Sequence, residues 1–334
     1  MKTRPLWLIV PWAVFIVAAV GWVIYWNVLA NTAEQRVRAW AAEQSASGGS
    51  ASIGRITRHG FPVLLRLEIS DFAFAPARGG WRATTARADL HVQVMNPQHI
   101  VFEAKAPVAV TRNNGAVTNI SADALIASLR TDGGNLAVAG LEGDNVVLDD
   151  PAEDGVLHAE KVVLNLRPDP READEYQLAF TAERITLPRP VRSFETFGQD
   201  VASLRAAVVI ERGAALLNAA PEDPLGPWRT AGGRLRFEGL TLHWGPLQAN
   251  GVGDGGLDEQ RRIAGRLELP LEQPAPVLTA IANGPNMSRD ARRALAILAA
   301  GYAATGETIT IDVNANDGWL RLEGLPVRPL PPVY

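Results

Sequence analysis

Cysteine is absent from the 334 residues. Its absence removes disulfides, thiol catalysis and cysteine-based zinc sites, and is neutral on compartment. Lysine occurs only at Lys2, Lys105 and Lys161, so arginine carries nearly all the positive charge. The five histidines, His59, His91, His99, His158 and His243, form neither H-x-x-x-H nor H-E-x-x-H. A zinc or metalloprotease site therefore lacks its spacing. There is no G-x-S-x-G nucleophile elbow either. A basic surplus is missing: the net charge is −4, which argues against nucleic acid as a partner. Apolar residues make up 47% and charged residues 20%, a globular balance rather than a disordered one.

Charge is also missing from residues 6–30, LWLIVPWAVFIVAAVGWVIYWNVLA. About twenty apolar residues suffice to cross a bilayer as a helix. Trp7 and Trp12 lie near one end, and Trp22, Tyr25 and Trp26 near the other, where amphipathic rings favour the interface. Pro5 and Pro11 fall in the first turns, where a missing N–H costs least. A cleaved signal peptide would have a shorter apolar core and a better small-x-small site than ANTA at 30–33. A buried core helix would show a polar face. Residues 1–5 then form a cytoplasmic stub, 6–30 a signal-anchor, and everything after it lies outside the cytoplasm. Removing Lys2 and Arg4 takes +2 from −4 and leaves −6 on the outer part.

Residues 31–45 hold good helix formers with Val37, Trp40 and Ala41 on one face, which predicts a stalk continuing the membrane helix. SASGGSAS at 45–52 reads as a flexible joint. From Ile53 to Tyr334 the dominant period is two, predicting a β-rich domain. Leu65, Leu67 and Ile69 alternate with polar residues, and then Phe72 and Phe74 alternate on the other parity across Asp71. The same switch recurs across Glu238–Gly239 in LRFEGLTL and across Glu323–Gly324 in LRLEGLPV. Each switch predicts a bulge or tight bend that re-aims a strand. Further alternating runs lie at 90–94, 162–166, 176–180, 185–187, 267–269 and 309–313. Turn signals separate the runs: NNG at 113, DGG at 132, DDPAEDG at 149, GPL at 245 and NDG at 316. Three helices are expected: 122–130 capped by Ser121, 274–283, and 289–300 capped by Ser288 and stopped by Gly301. The last would bury Ala291, Ala294, Leu295 and Leu298. The final LPVRPLPPVY reads as an extended edge or tail.

The expected fold is mainly β: a transmembrane helix, then a large bulged antiparallel meander, open curved sheet or sandwich, with two to four short helices. Catalytic signals are thin. GVGDGG at 251–256 satisfies G-x-G-x-x-G, but no long helix follows, and a hairpin turn accounts for it better. The acidic run Asp149, Asp150, Glu153 and Asp154 lacks EF-hand spacing and reads as a solvated turn. His243 sits on the polar parity of a strand. Nothing selects a carboxylate pair for hydrolysis. No catalytic, cofactor or metal residue is expected. The positive argument is architectural: one apolar sheet face left open would suit an acyl chain or a partner's strand. Strand parity names Leu65, Leu67, Ile69, Leu178, Phe180, Leu235, Phe237, Ile309, Ile311 and Val313 as groove candidates.

Several motifs together resemble one bacterial family. They are Arg58-His59-Gly60-Phe61-Pro62, Asn96-Pro97-Gln98-His99-Ile100, WGPLQANG at 244–251, Leu257-Asp258 with Gly265-Arg266-Leu267, and the closing segment from Asp317 to Pro332. This combination resembles domain-of-unknown-function family number 2125, which implies an anchored envelope protein and transfers no catalytic residue. The anchor-plus-meander plan is also similar, at the level of fold, to AsmA-like lipid-handling envelope proteins of Gram-negative bacteria. That likeness implies a non-catalytic, single-pass inner-membrane protein with its bulk in the periplasm, binding a lipid or other apolar ligand for envelope maintenance. The alternative is a structural or interaction subunit of an envelope complex. The bilayer, a lipid and an envelope protein are the partners so implied.

Overall fold

The computed structural model describes residues 6–77, 80–151, 155–217, 223–284, 288–305 and 308–334. The chain divides into two compact units, one of residues 1–119 and 126–133, the other of residues 120–125 and 134–334. The stub at 1–5, and Glu153 and Asp154 of the acidic run, lie outside the described residues.

The first unit begins with α1 (Leu6–Ala46), a single helix that runs through the expected anchor and stalk without a break. It is long and apolar enough to cross a membrane. Its strands are β1 (Ser50–Ser52), β2 (Ile56–His59), β3 (Leu64–Ala75), β4 (Trp81–Gln93), β5 (Asn96–Ala104) and β6 (Val108–Arg112), with the first part of β7 (Val117–Ser121) and most of β8 (Ala124–Asp132). The joint is tighter than expected. Gly48 turns the chain at φ +88°, and Ser50–Ser52 pairs antiparallel with the end of β3. The helix expected at 122–130 is strand β8, paired with β5 from His99 opposite Arg130 to Glu103 opposite Ile126. LIASL carries apolar residues that fit either period, and the waiting edge of β5 supplies backbone partners that an isolated turn of helix lacks.

Helix α1 does not stand clear of the sheet, and the contact begins in the last turns of the expected anchor and continues into the stalk. Trp26 and Ala30 are buried with Leu65, Leu67, Val92 and Val94, and Trp22, Leu29, Ala33 and Val37 close over them. Further along, Trp40 stacks on Phe72 at 6.3 Å and meets Phe74 at 5.6 Å. Both parities of β3 thus reach the same helix. Asp71 makes this happen by adopting φ +51°, while pairing with β4 resumes from Ser70 opposite Arg87 to Phe72 opposite Thr85. Glu34 clamps the arrangement, its carboxylate accepting from Arg58 at 2.6 Å and from Arg38 at 3.0 Å. Those two guanidiniums, Arg58 first, hold Glu34 below the usual carboxylate range.

The second unit is a meander in which each strand pairs antiparallel with the next: β9 (Asn135–Asp149), β10 (Val156–Pro168), β11 (Tyr176–Thr186), β12 (Asp200–Ile210), β13 (Leu235–Trp244), β14 (Leu247–Leu257), β15 (Ile263–Leu271), β16 (Ile309–Asn316), β17 (Trp319–Leu322) and β18 (Leu325–Pro329). Helices α2 (Ala214–Leu217) and α3 (Gly226–Thr230) interrupt between β12 and β13. Helices α4 (Pro274–Ala282) and α5 (Arg289–Thr305) interrupt between β15 and β16. Helix α5 starts as expected, with the Ala291 N–H donating to Ser288 Oγ at 3.1 Å. Its buried face is the expected one, extended by Ala299, while Gly301 lies inside the helix rather than ending it.

The three parity switches prove to be different devices. Glu238–Gly239 is a bulge: Phe237 lies opposite Val208 and Gly239 opposite Ala207, so two residues of β13 span one step of β12. Glu323–Gly324 is a reversal, not a bulge. Both residues take positive φ, +49° and +79°, and Leu322 pairs with Leu325 across a two-residue hairpin. GVGDGG is not a turn but the middle of β14; the turn lies earlier, at Gly245 with φ +52°. The terminal segment is tied down, with the Val333 N–H donating to the Arg261 carbonyl at 2.9 Å and the Arg261 guanidinium over the Tyr334 ring at 5.3 Å.

Candidate functional site

Residues directly opposite across an antiparallel pair share a face. Following them across the second unit traces one apolar stripe. Leu141 faces Leu164, which faces Phe180, and Leu166 faces Leu178. Leu178 faces Val208, which faces Phe237, and Ala206 faces Leu240. Ala249 lies between Leu242 and Leu271, and Leu267, Leu269 and Leu271 oppose Val313, Ile311 and Ile309. Val313 then faces Leu322. The Glu238 bulge holds the stripe together. It lets Phe237 and Leu240, of opposite parity, present to one side. Glu238 itself is turned to the charged side, where its carboxylate accepts from Arg171 at 3.3 Å.

The stripe is glycine-lined along β14. A Cβ on Gly251 would lie 2.6 Å from Leu269 Cδ2, so the leucines of β15 lie across that bare backbone. At its β15–β18 end the stripe is roofed. Leu278 of α4, Leu295 of α5 and Ile311 of β16 are fully buried together, and Phe194, Phe197 and Trp244 pack edge and face within 5.1 to 5.4 Å. Between the sheet and Val277 and Ile281 of α4 the packing leaves a pocket of about 290 Å³. Its walls are Leu240, Leu242, Ala249, Leu267, Leu269, Ile311, Val313, Leu320 and neighbouring aliphatic side chains, with Arg321 the one charged residue along them. Toward β9–β12 the stripe is half-buried, and Leu141 at 39% is openly exposed.

The groove candidates divide accordingly. Ile311 and Val313 line the pocket, and Ile309 packs beside it. Leu178, Phe180, Leu235 and Phe237 are half-buried along the stripe outside the pocket. Leu65, Leu67 and Ile69 belong to the first unit and are sealed, Leu65 and Leu67 under α1, so they face no groove. The residues that parity missed are Leu240, Leu242, Ala249 and the α4 pair Val277 and Ile281. The Leu240–Leu242 alternation beyond Glu238 was the available signal; the helix roof has none.

A second cluster carries polar chemistry. Asp89, His91 and Glu103 bring their ligand atoms within 4.8 Å of one another on the polar face of β4 and β5. They are the group among the described residues that could hold a metal ion. Three cations already lie against the two carboxylates. Arg66 and Arg87 approach Asp89 at 3.9 and 3.8 Å, and Lys105 pairs with Glu103. Asp89 is wholly buried and neither its carboxylate oxygens nor His91 Nε2 has a hydrogen-bond partner among the described residues, while Glu103 is partly exposed. This is an ion-pair patch. His243 is exposed, as its parity indicates.

No curated protein and no solved structure matches the chain. The likeness to AsmA-like proteins therefore stands on the anchor-and-meander plan alone. A family model does match, over residues 26–331, and spans both units and the stripe. The chain belongs to the family described as "Uncharacterized protein conserved in bacteria (DUF2125)".

Proposed function

We propose that this is a non-catalytic binding protein, held by α1 at the bacterial inner membrane with its bulk in the periplasm. The second unit would carry the acyl chain of a lipid, or a similarly apolar molecule, in the service of the envelope. The observation that carries the reading is the continuity of the stripe. A half-buried apolar lane over β9–β12, exposed at Leu141, leads into a partly roofed aliphatic pocket under α4. At about 290 Å³ the pocket is at the small end of ligand sites, which run from roughly 300 Å³ upward, so it suits one end of a chain whose remainder lies along the lane. Aliphatic walls offer such a chain burial without a desolvated polar group, and each methylene moved from water gains about 0.8 kcal/mol.

The test is photo-crosslinking of the full chain in maltoside micelles with a fatty acid bearing a terminal diazirine. Adducts on peptides containing Leu267–Leu271 or Ile309–Val313, competed by unlabelled fatty acid, support the reading. Uniform labelling that competitor does not reduce refutes it.

A further inference from the structure

At the point where α1 would leave a bilayer, the first unit presents two strand-end turns. Residues 11–21 of α1 are exposed, and the helix from Leu6 to Gly21 is 16 residues long, about 24 Å at 1.5 Å per residue. A hydrocarbon core is about 30 Å thick. Counting about twenty residues from Leu6 carries the span to Tyr25. By that point the helix is already lying against the sheet. The Trp22 Nε1–H donates to the Pro62 carbonyl at 2.9 Å, and the Tyr25 hydroxyl to the Val94 carbonyl at 2.9 Å. Trp26 packs edge-on to Phe61 at 5.6 Å. Two strand-end turns therefore stand beside the helix at the depth where the hydrocarbon ends.

Their tips are apolar and bare: Phe61 is 52% exposed, Val63 76% and Met95 82%. Gly60, at φ +93°, makes the first tip, and a Cβ there would meet the Leu64 carbonyl at 2.3 Å. Neither 58–65 nor 93–100 contains an acidic residue, although the chain as a whole is acidic. Arg58 and His59 flank the first tip. Bare aliphatic and aromatic tips, backed by tryptophan and tyrosine and free of carboxylates, match the interfacial layer of a bilayer.

We infer that Phe61, Val63 and Met95 form a membrane-seated collar around α1, so that the first unit rests on the lipid surface instead of swinging on a stalk. The inference rests on the reading that α1 crosses a bilayer. The sheet then points away from the membrane along β4. Arg82 stands beside the Trp40 end of α1, through Phe74 and Trp81, about 14 helical residues or about 21 Å along the helix beyond Trp26 and the collar.

The natural absence of cysteine makes the test direct. Single-cysteine variants V14C, V63C, M95C and R82C of the full chain are labelled with an environment-sensitive fluorophore and reconstituted in nanodiscs containing lipids spin-labelled at shallow or deep acyl positions. The collar predicts quenching at V63C and M95C at least threefold stronger than at R82C, with the shallow label more effective. V14C should be quenched most by the deep label. Quenching at V14C with V63C and M95C no different from R82C overturns the collar and leaves the span intact. No quenching at V14C overturns both.

Discussion

Ala249 offers the sharpest perturbation of the pocket. It is 8% exposed, lies between Leu242 and Leu271, and turns its methyl group into the aliphatic space under α4. Ala249→Leu adds three carbons. At about 0.8 kcal/mol per buried carbon the transfer gain is about 2.4 kcal/mol. Ordering a leucine side chain costs up to about 1 kcal/mol, leaving about 1.5 kcal/mol. For a unit of roughly 200 residues that is a rise of about 3–6 °C in Tm, read by scanning calorimetry on lipid-free protein in maltoside. The same side chain occupies the space proposed for a ligand. A fatty acid at 100 times its Kd stabilises the wild type by about 2.7 kcal/mol, and the variant should lose most of that increment. Two results would refute the reasoning. If Ala249→Leu destabilises by more than about 1 kcal/mol, the site is already full and the leucine overpacks it. If the variant is stabilised but its response to fatty acid is unchanged, the pocket is not where the ligand goes.

Other outcomes follow from single contacts. Asp169 accepts from Arg171 and Gln177, and the Arg171 guanidinium, first among the causes, holds its carboxyl well below the ordinary 3.8. A depressed folded pKa contributes stability that is present above the unfolded value and lost as pH falls through the folded one. Asp169→Asn should therefore flatten the decline of Tm with acid below about pH 4, and an unchanged acid limb would contradict it. Ser288→Ala removes the α5 cap and should cost about 1 kcal/mol in urea unfolding, with Ser288→Asp recovering it. In Gly253→Ala the new methyl would stand 2.1 Å from the Arg266 carbonyl, so the β14–β15 pairing should loosen by about 2–3 kcal/mol, visible as faster amide exchange on both strands. Glu34→Gln should cost about 1 kcal/mol or less, measured in 0.1 M salt, because Arg58 and Arg38 remain partly solvated.

Most of the architecture could be read along the chain because its signals are local. A charge-free run of 25 residues specifies the long helix. Period-two alternation specifies the strands, and NDG at 316 becomes a two-residue hairpin with φ +51° at Asp317 and +76° at Gly318. The serine at 288 and the Ala291–Leu298 spacing specify α5. The errors fall where a local pattern has two solutions. The segment 122–130 has helix formers, but β5 offers it a ladder. The glycines at 251–256 satisfy turn preferences, but they lie in β14, where β15 comes too close for a side chain at Gly251 and Gly253.

The chain by itself determined that a long apolar helix leads into an antiparallel meander whose strands each have one apolar face. Alternation of side chains along a strand follows from backbone geometry and needs no partner. Only the tertiary structure decided which apolar faces close and which stay open. Leu65 and Leu67 repeat the chemistry of Ile311 and Val313. The first pair is sealed because α1 lies down on it, and the second keeps a cavity because α4 spans it without filling it. The phrase LR-x-EGL likewise became a bulge at Glu238, where β12 and β14 hold both ends of the strand, and a reversal at Glu323. What lies across the sheet is a contact between residues distant in sequence, and periodicity along one strand carries no record of it.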